Sequence, residues 1–193
     1  MESELKYLDI VEQPISMHPK KFALWLFLVT VLMVFAALTS AYIVRQAEGN
    51  WLEYELPEIF WITSGIVLLS SVCIQAAYFS AKKDNFLGLR IWMVLTVLLG
   101  IAFLVGQWYS WVALVDREVF FVGNPAGSFL YVFTGLHAVH LISGVIFLII
   151  VLISTFRYKV HSQAMNTLEM ATTYWHFLGG LWLYLFLFLL LNH

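Results

Sequence analysis

Charged residues are scarce in this chain. Only 11% of its 193 residues are Asp, Glu, Lys or Arg, whereas 62% are hydrophobic. A soluble domain of this length could not bury so much apolar surface, so most of the chain must face lipid. The single cysteine, Cys73, excludes a disulfide within the chain. The formal net charge of −2 gives no indication of nucleic-acid binding.

Long apolar segments account for most of the sequence. A spanning helix needs about 20 apolar residues, because the hydrocarbon layer is about 30 Å thick and each residue rises about 1.5 Å. Five segments meet this requirement, at about 22–44, 59–81, 90–115, 127–156 and 171–191. The alternation expected of a membrane β-barrel is absent. The sequence therefore predicts an all-α membrane protein, with an N-terminal arm over residues 1–21 and a single five-helix transmembrane domain over residues 22–193.

Basic residues are divided unevenly among the connecting segments. Eight of the ten Lys and Arg residues fall in the N-terminal arm, the second loop and the fourth loop, and only two in the first and third loops. Loops rich in Lys and Arg stay in the cytoplasm. The distribution predicts a cytoplasmic N-terminus and an external C-terminus.

The interiors of the five segments lack carboxylates and lysines. A proton or ion pump usually places such a residue near the bilayer midplane, so an independent transporter is not favoured. The polar residues that remain are mainly hydroxyls and amides. Such groups commonly hydrogen-bond one membrane helix to another.

Three histidines stand out in the last two segments. His137 and His140 are three residues apart, so they project in neighbouring directions from one helix. The last segment carries a stripe with spacings of 4, 3 and 4, formed by Glu169, Thr173, His176 and Gly180. If the two helices face each other along these residues, the histidines and Glu169 could converge. The cluster could bind a metal or haem or carry protons through His176; the more common arrangement is rings hydrogen-bonded to other helices or to lipid head groups.

Three blocks of sequence resemble subunit III of haem-copper terminal oxidases. "YWHFLGGLWLYLF" (174–186) resembles the family's Tyr-Trp-His-Phe signature, and "GSFLYVFTGLHAVHLISGVIFLI" (127–149) resembles its Thr-Gly segment with two histidines. "LLGIAFLVGQWYSW" (98–111), which contains Gln107, resembles a third block. The resemblance runs in order from about residue 22 to the C-terminus.

Three features depart from the family's pattern. The chain resembles a short bacterial form with five helices, whereas the full-length form has seven. Val31 stands at or next to the position of a membrane carboxylate, which puts a proton-antenna role for that position in doubt. Glycine replaces the aspartate that commonly follows the His-Phe pair, at Gly179 and Gly180.

The resemblance implies a non-catalytic subunit without a cofactor of its own, in the bacterial inner membrane. Haem and copper would then reside in partner subunits, with direct contact to subunit I, further contact to subunit II, and room for subunit IV or a larger respiratory supercomplex. It also implies structural phospholipid and support of proton uptake during aerobic respiration. Cytochrome c is favoured over quinol as the electron donor. A less favoured alternative is a small haem-binding cytochrome that uses His137, His140 and His176.

The resemblance and the residue pattern together nominate two sets of site residues. Lipid or subunit contacts are predicted at His137, His140, Glu169, Trp175, His176 and Trp182. Helix packing is predicted at Gly135, Gly144, Gly179 and Gly180, since small residues let helix backbones approach closely in a membrane.

Overall fold

The computed structural model describes residues 19–157 and 165–192, and every regular element within these ranges is an α-helix. The helices are α1 (Pro19–Ala47), α2 (Ile59–Lys82), α3 (Phe86–Asp116), α4 (Pro125–Phe156) and α5 (Asn166–Leu191). All five are long and apolar enough to cross a bilayer. The prediction of an all-α, five-helix membrane protein is confirmed, and the chain is a multi-pass membrane protein.

The helices extend beyond the spans expected from hydrophobicity. The largest difference at an N-terminal end is at α5, which begins at Asn166, five residues before the predicted span. With 31 residues, α3 is about 46 Å long, more than the hydrocarbon layer requires, so its ends reach the polar zone. Residues 19–21 of the predicted N-terminal arm form the first turn of α1, and residues 1–18 lie outside the described residues.

Asparagine side chains begin two of the helices. The side chain of Asn85 accepts a hydrogen bond from the backbone N–H of Gly88 at the start of α3. Asn124 accepts one from the N–H of Ala126 at the start of α4, next to Pro125. Each bond satisfies a backbone donor that the helix itself leaves unpaired. The residues that interrupt the apolar runs therefore also define where the next helix starts.

Four helices form a closed ring, and α1 packs outside it. In the ring, α2 contacts α3, α3 contacts α4, α4 contacts α5, and α5 returns to α2. Helix α1 lies against α4 and α5. Its buried residues recur every three or four positions, as one narrow stripe: Leu28, Val31, Phe35, Thr39 and Tyr42. Most of the surface of α1 is therefore available to lipid or to another subunit.

Two tryptophans of α5 occupy the interior of the ring. Trp175 and Trp182 are seven residues apart, so they lie on one face of α5, and they are 2% and 1% exposed. Trp175 Nε1 donates to Ser70 Oγ at 2.9 Å, and Trp182 Nε1 donates to Ser64 Oγ at 3.0 Å. A buried indole N–H requires an acceptor. These two bonds therefore fix α5 against α2.

The Trp175 indole also requires glycine on two other helices. A Cβ added to Gly100 of α3 would lie 2.7 Å from Trp175 Cη2, closer than real side chains approach. A Cβ added to Gly144 of α4 would lie 3.3 Å from Trp175 Cζ3 and 2.8 Å from Leu178 Cδ1. Trp175 thus contacts α2, α3 and α4 at once, and the ring closes around it.

Hydrogen bonds join the C-terminal parts of α1 and α5. Tyr42 Oη and Gln46 Nε2 donate to the Asn192 carbonyl oxygen at 2.6 Å and 3.1 Å. Tyr184 Oη donates to Thr39 Oγ1 at 3.0 Å. In the segment between α1 and α2, burial raises the pKa of Tyr54, which keeps this phenol neutral.

Candidate functional site

The three nominated histidines lie in separate environments, so the convergence considered from the sequence is wrong. The α4 stripe is fully buried inside the ring; it consists of Thr134, His137, Leu141 and Gly144. The α5 stripe that carries Glu169 and His176 lies outside the ring, where Glu169 meets α1 and His176 meets α2. The spacing along each helix was read correctly, but the two stripes face different neighbours.

His137 is completely buried in the ring. Its ring centroid lies 5.2 Å from that of Trp182 and 6.0 Å from that of Phe103. Neither imidazole nitrogen has a hydrogen-bond partner among the described residues. His137 therefore lies away from the outer surface of the described bundle, and a lipid or subunit contact at this residue stays a prediction.

His140 joins α4 to α1. Its Nδ1 lies 2.7 Å from the Leu136 carbonyl oxygen of its own helix, so Nδ1 carries the proton and donates. The ring packs near Phe27 and Phe35 of α1, at centroid distances of 6.3 Å and 6.0 Å. Tyr174 Oη of α5 donates to the His140 carbonyl oxygen at 3.2 Å. His140 thus lies where α1, α4 and α5 meet.

His176 joins α5 to α2. Its Nε2 lies 3.0 Å from Gln75 Oε1, and its Nδ1 lies 3.3 Å from Ser71 Oγ. A neutral ring that donates from Nε2 and accepts at Nδ1 satisfies both contacts. The ring is only partly buried, and the side chain lines the outer surface of the bundle. The geometry makes His176 a surface group within the membrane zone.

Glu169 forms an ion pair at the start of α5. Its carboxylate accepts a hydrogen bond from Lys21 Nζ of α1 at 2.5 Å, and both side chains are about one-third exposed. An exposed pair of this kind contributes little to stability. The pair links the first turns of α1 and α5, and Glu169 lines the same cavity as His176.

Two adjoining cavities open on the surface between α2 and α5. The first, about 350 Å³, has a polar lining: Gln75, Tyr78, Glu169, Thr172, Thr173 and His176. The second, about 470 Å³, is mainly apolar, with Leu68, Ser71, Val72, Gln75, Ala76, Phe79 and His176 in its lining. Gln75 and His176 belong to both. A polar cavity, which we call the polar chamber, and an apolar groove therefore share these two residues; we name the two together the α2–α5 cleft.

The nominated tryptophans and glycines also lie in different environments, some inside the ring and some on its outer surface. Trp175 and Trp182 lie inside the ring, and their contact with lipid or another subunit stays a prediction. Gly144 packs against α5, and a Cβ on Gly179 would lie 3.2 Å from Ser71 Oγ of α2. A Cβ on Gly135 or Gly180 would meet no atom within 4 Å, so neither packs against another described helix. For those two positions, packing stays a prediction about a partner.

No set of three His, Cys, Asp or Glu side chains could hold a metal ion in the part of the chain that the structure describes. His137 packs against aromatic rings, His140 hydrogen-bonds within its own helix, and His176 hydrogen-bonds to α2.

Comparison with known proteins agrees with the motifs. The family model of cytochrome c oxidase subunit III matches residues 52–192. Cytochrome c oxidase subunit 3 of Corynebacterium diphtheriae is 33% identical, over 83% of this chain and 82% of that protein. The chain belongs to the cytochrome c oxidase subunit III family. The resemblance found in the sequence is thereby confirmed.

Other relatives extend across the same family. The probable cytochrome c oxidase subunit 3 of Nocardia farcinica is 35% identical, over 80% of this chain and 79% of that protein. The probable quinol oxidase subunit 3 of Staphylococcus saprophyticus is 27% identical, over 86% of this chain and 85% of that protein. The family match contains the whole α2–α5 ring, whereas α1 precedes it.

The sequence did not reveal which residues pair inside this subunit III ring. Ser64 and Ser70 were assigned no role as acceptors for the tryptophans, and Lys21 was not paired with Glu169. One signal was present for the serines: they are six residues apart on α2, close to the seven-residue spacing of Trp175 and Trp182 on α5. The two similar spacings are consistent with two contacts between these helices, about two helical turns apart.

Proposed function

We propose that the chain is the non-catalytic third subunit of a respiratory haem-copper oxygen reductase, where it stabilises subunit I, retains phospholipid and supports proton uptake. The observation that carries this proposal is the family match over residues 52–192, together with relatives of similar length named cytochrome c oxidase subunit 3. Haem and copper belong to the partner subunits, which pass electrons to oxygen while protons cross the membrane.

The geometry supports a structural role. Inside the ring, tryptophan, serine and threonine side chains bond one helix to the next, as in the bond of 3.0 Å that Trp111 Nε1 of α3 donates to Thr134 Oγ1 of α4. The outer surface is rich in exposed apolar side chains, and α1 has the smallest buried share of the five described helices. Such a surface suits neighbouring membrane helices and lipid. A rigid interior with an apolar exterior is what a supporting subunit needs.

The proposal also includes the electron donor, the membrane in which the chain resides and the orientation of the chain in it. The most similar relatives reported above carry cytochrome c oxidase names, which supports cytochrome c as donor, with a quinol oxidase as the alternative. The relatives are bacterial, which supports the inner membrane. The distribution of Lys and Arg supports a cytoplasmic N-terminus. Subunit II is the second expected partner, and subunit IV or a supercomplex could add further contacts.

Purification of the affinity-tagged chain from its native membranes tests the proposed assembly. We expect haem- and copper-containing subunits to copurify with it, and we expect deletion of the chain to shorten the working lifetime of the oxidase without changing its haem spectrum. A stoichiometric Soret band that stays with the chain after every partner is removed would instead support the small cytochrome.

The α2–α5 cleft is the proposed phospholipid site. A phospholipid has a polar, charged head group and long apolar tails. The cleft offers a polar chamber next to an apolar groove. Thr172 lines the polar chamber, and its buried hydroxyl has no partner among the described residues. The Lys21–Glu169 pair lies at the same end, at the level where head groups meet the bilayer.

His176→Ala is expected to lower the amount of phospholipid retained by the purified complex, because the residue contributes to both chambers of the cleft. Native mass spectrometry after a detergent wash measures the retained lipid. Ser154→Ala is the matched control, since the Ser154 hydroxyl bonds to the Ile150 carbonyl of its own helix at 2.9 Å. Equal lipid retention in both variants would remove the cleft from the proposal. The haem spectrum should be unchanged in each.

A further inference from the structure

Four unpaired polar atoms lie in the interior of the ring. Both nitrogens of His137 and both amide atoms of Gln107 are buried, and none has a hydrogen-bond partner among the described residues. The two side chains are 0% and 1% exposed. Neither the fold nor the proposed function gives these atoms a role.

The helix register brings the two side chains to the same level. Phe103, one turn before Gln107 on α3, contacts the His137 ring, with the centroids 6.0 Å apart. Trp111, one turn after Gln107, donates to Thr134, which precedes His137 by three residues on α4. Gln107 therefore lies between two residues of α3 that each contact the turn of α4 containing His137. Gln107 and His137 both lie on the buried faces of α3 and α4, so this register directs the amide and the imidazole toward the same part of the interior.

Leaving these groups unpaired would be costly. A buried donor or acceptor without a partner costs about 1–3 kcal/mol, and the large majority of such groups in proteins are satisfied by protein or by ordered water. Buried water typically makes about three hydrogen bonds to polar groups that have no other partner. A neutral imidazole offers one donor and one acceptor, and a primary amide offers an acceptor oxygen and two donor hydrogens. A water molecule complements both.

We propose that Gln107 and His137 enclose an internal water site that connects α3 to α4. The water donates to an acceptor on one side chain and accepts from a donor on the other. Phe103 and Trp182 form the apolar wall on one side of the His137 ring. The Thr134 hydroxyl provides no donor for this water, because its proton goes to the Leu130 carbonyl at 2.8 Å and it accepts from Trp111.

Solid-state NMR on the full-length chain, in lipid and with the subunits that accompany it, tests the site. With ¹⁵N-labelled histidine, we expect magnetisation to pass from water protons to the ring nitrogens of one fully buried histidine. Loss of that signal in His137→Phe assigns it to His137. Gln107→Leu, which has nearly the same shape, should abolish the water transfer while the His137 ring signals persist. The His140 signals serve as the internal control and should not change.

Two results would overturn the proposal. The first is the absence of water transfer to His137, or transfer that Gln107→Leu leaves intact. The second is a high-resolution density map in which Gln107 and His137 bond to each other directly with no water between them. Density for a water within hydrogen-bond distance of both side chains would support the proposal independently of NMR. Neither test depends on whether the chain assembles into an oxidase.

Discussion

Replacement of Trp175 by alanine is expected to cause the largest loss of stability of any single substitution considered for this subunit. The change empties the interior of the ring between Gly100 and Gly144, and it leaves the Ser70 hydroxyl without the indole donor. Trp→Ala substitutions in protein cores cost about 3–5 kcal/mol. We expect the lower end of this range, because in lipid the loss is one of packing contacts rather than of hydrophobic transfer.

The thermal midpoint at which the purified oxidase loses this subunit measures the effect of Trp175→Ala. Trp108→Ala is the matched control, since Trp108 is 63% exposed on the outside of α3. Trp175→Phe keeps most of the ring volume but removes the N–H, and its midpoint should fall between those of the wild type and the alanine variant. If Trp175→Ala and Trp108→Ala lowered the midpoint equally, Trp175 could not be the residue around which the ring closes.

Gly100→Val should also destabilise the packing of the four-helix ring, because it overfills the interior that Trp175→Ala would empty. Even a single added carbon at Gly100 would lie 2.7 Å from Trp175 Cη2 and 3.1 Å from Val145 Cγ2. The indole cannot move aside freely, because it is buried and bonded to Ser70 on its other side. Overpacking of a well-filled core typically costs about 1–3 kcal/mol, and a rigid neighbour moves the cost to the upper end. We expect poor incorporation of the subunit into the complex.

Gly135→Val supplies the control for this prediction. Gly135 is also a helical glycine, so both variants exchange the same residue types and have the same difference in helix propensity. An added side chain at Gly135 meets open space within the chain. The fraction of subunit III in the purified complex, determined by quantitative gel or mass spectrometry, should fall in Gly100→Val and stay near the wild-type value in Gly135→Val. Full incorporation of Gly100→Val would contradict the packing argument; reduced incorporation of Gly135→Val would indicate a partner helix at that position.

The helices and the family could be read from the sequence because their signals are local. A run of apolar residues is recognisable without knowledge of its neighbours, since the hydrocarbon thickness sets its length. The "YWHF" block is likewise a contiguous motif. By contrast, the site residues depend on which helices face each other, and the sequence contains little information about that.

Neighbouring residues of α4 illustrate the difficulty. Leu141 is completely buried, whereas Val139 is 62% exposed, although both are apolar. In water, the exposed position would carry a polar residue and the buried face would be visible as a stripe. In lipid, an apolar residue suits either face, so hydrophobicity does not mark the inside of the ring. His137 and His140 were therefore grouped by their spacing, although one lies inside the ring and the other against α1.

The sequence by itself determined the solvent of this protein, the number of its helices and its family, because length, apolar composition and contiguous motifs need no tertiary contacts. Only the tertiary structure decided that α2–α5 close into a ring around Trp175, that α1 stays outside, and that the three histidines serve three different contacts. The physical reason is that helix association in a membrane depends on close packing and on a few hydrogen bonds between helices. Which glycine meets which indole, and which serine accepts from it, is settled only when the helices are placed side by side.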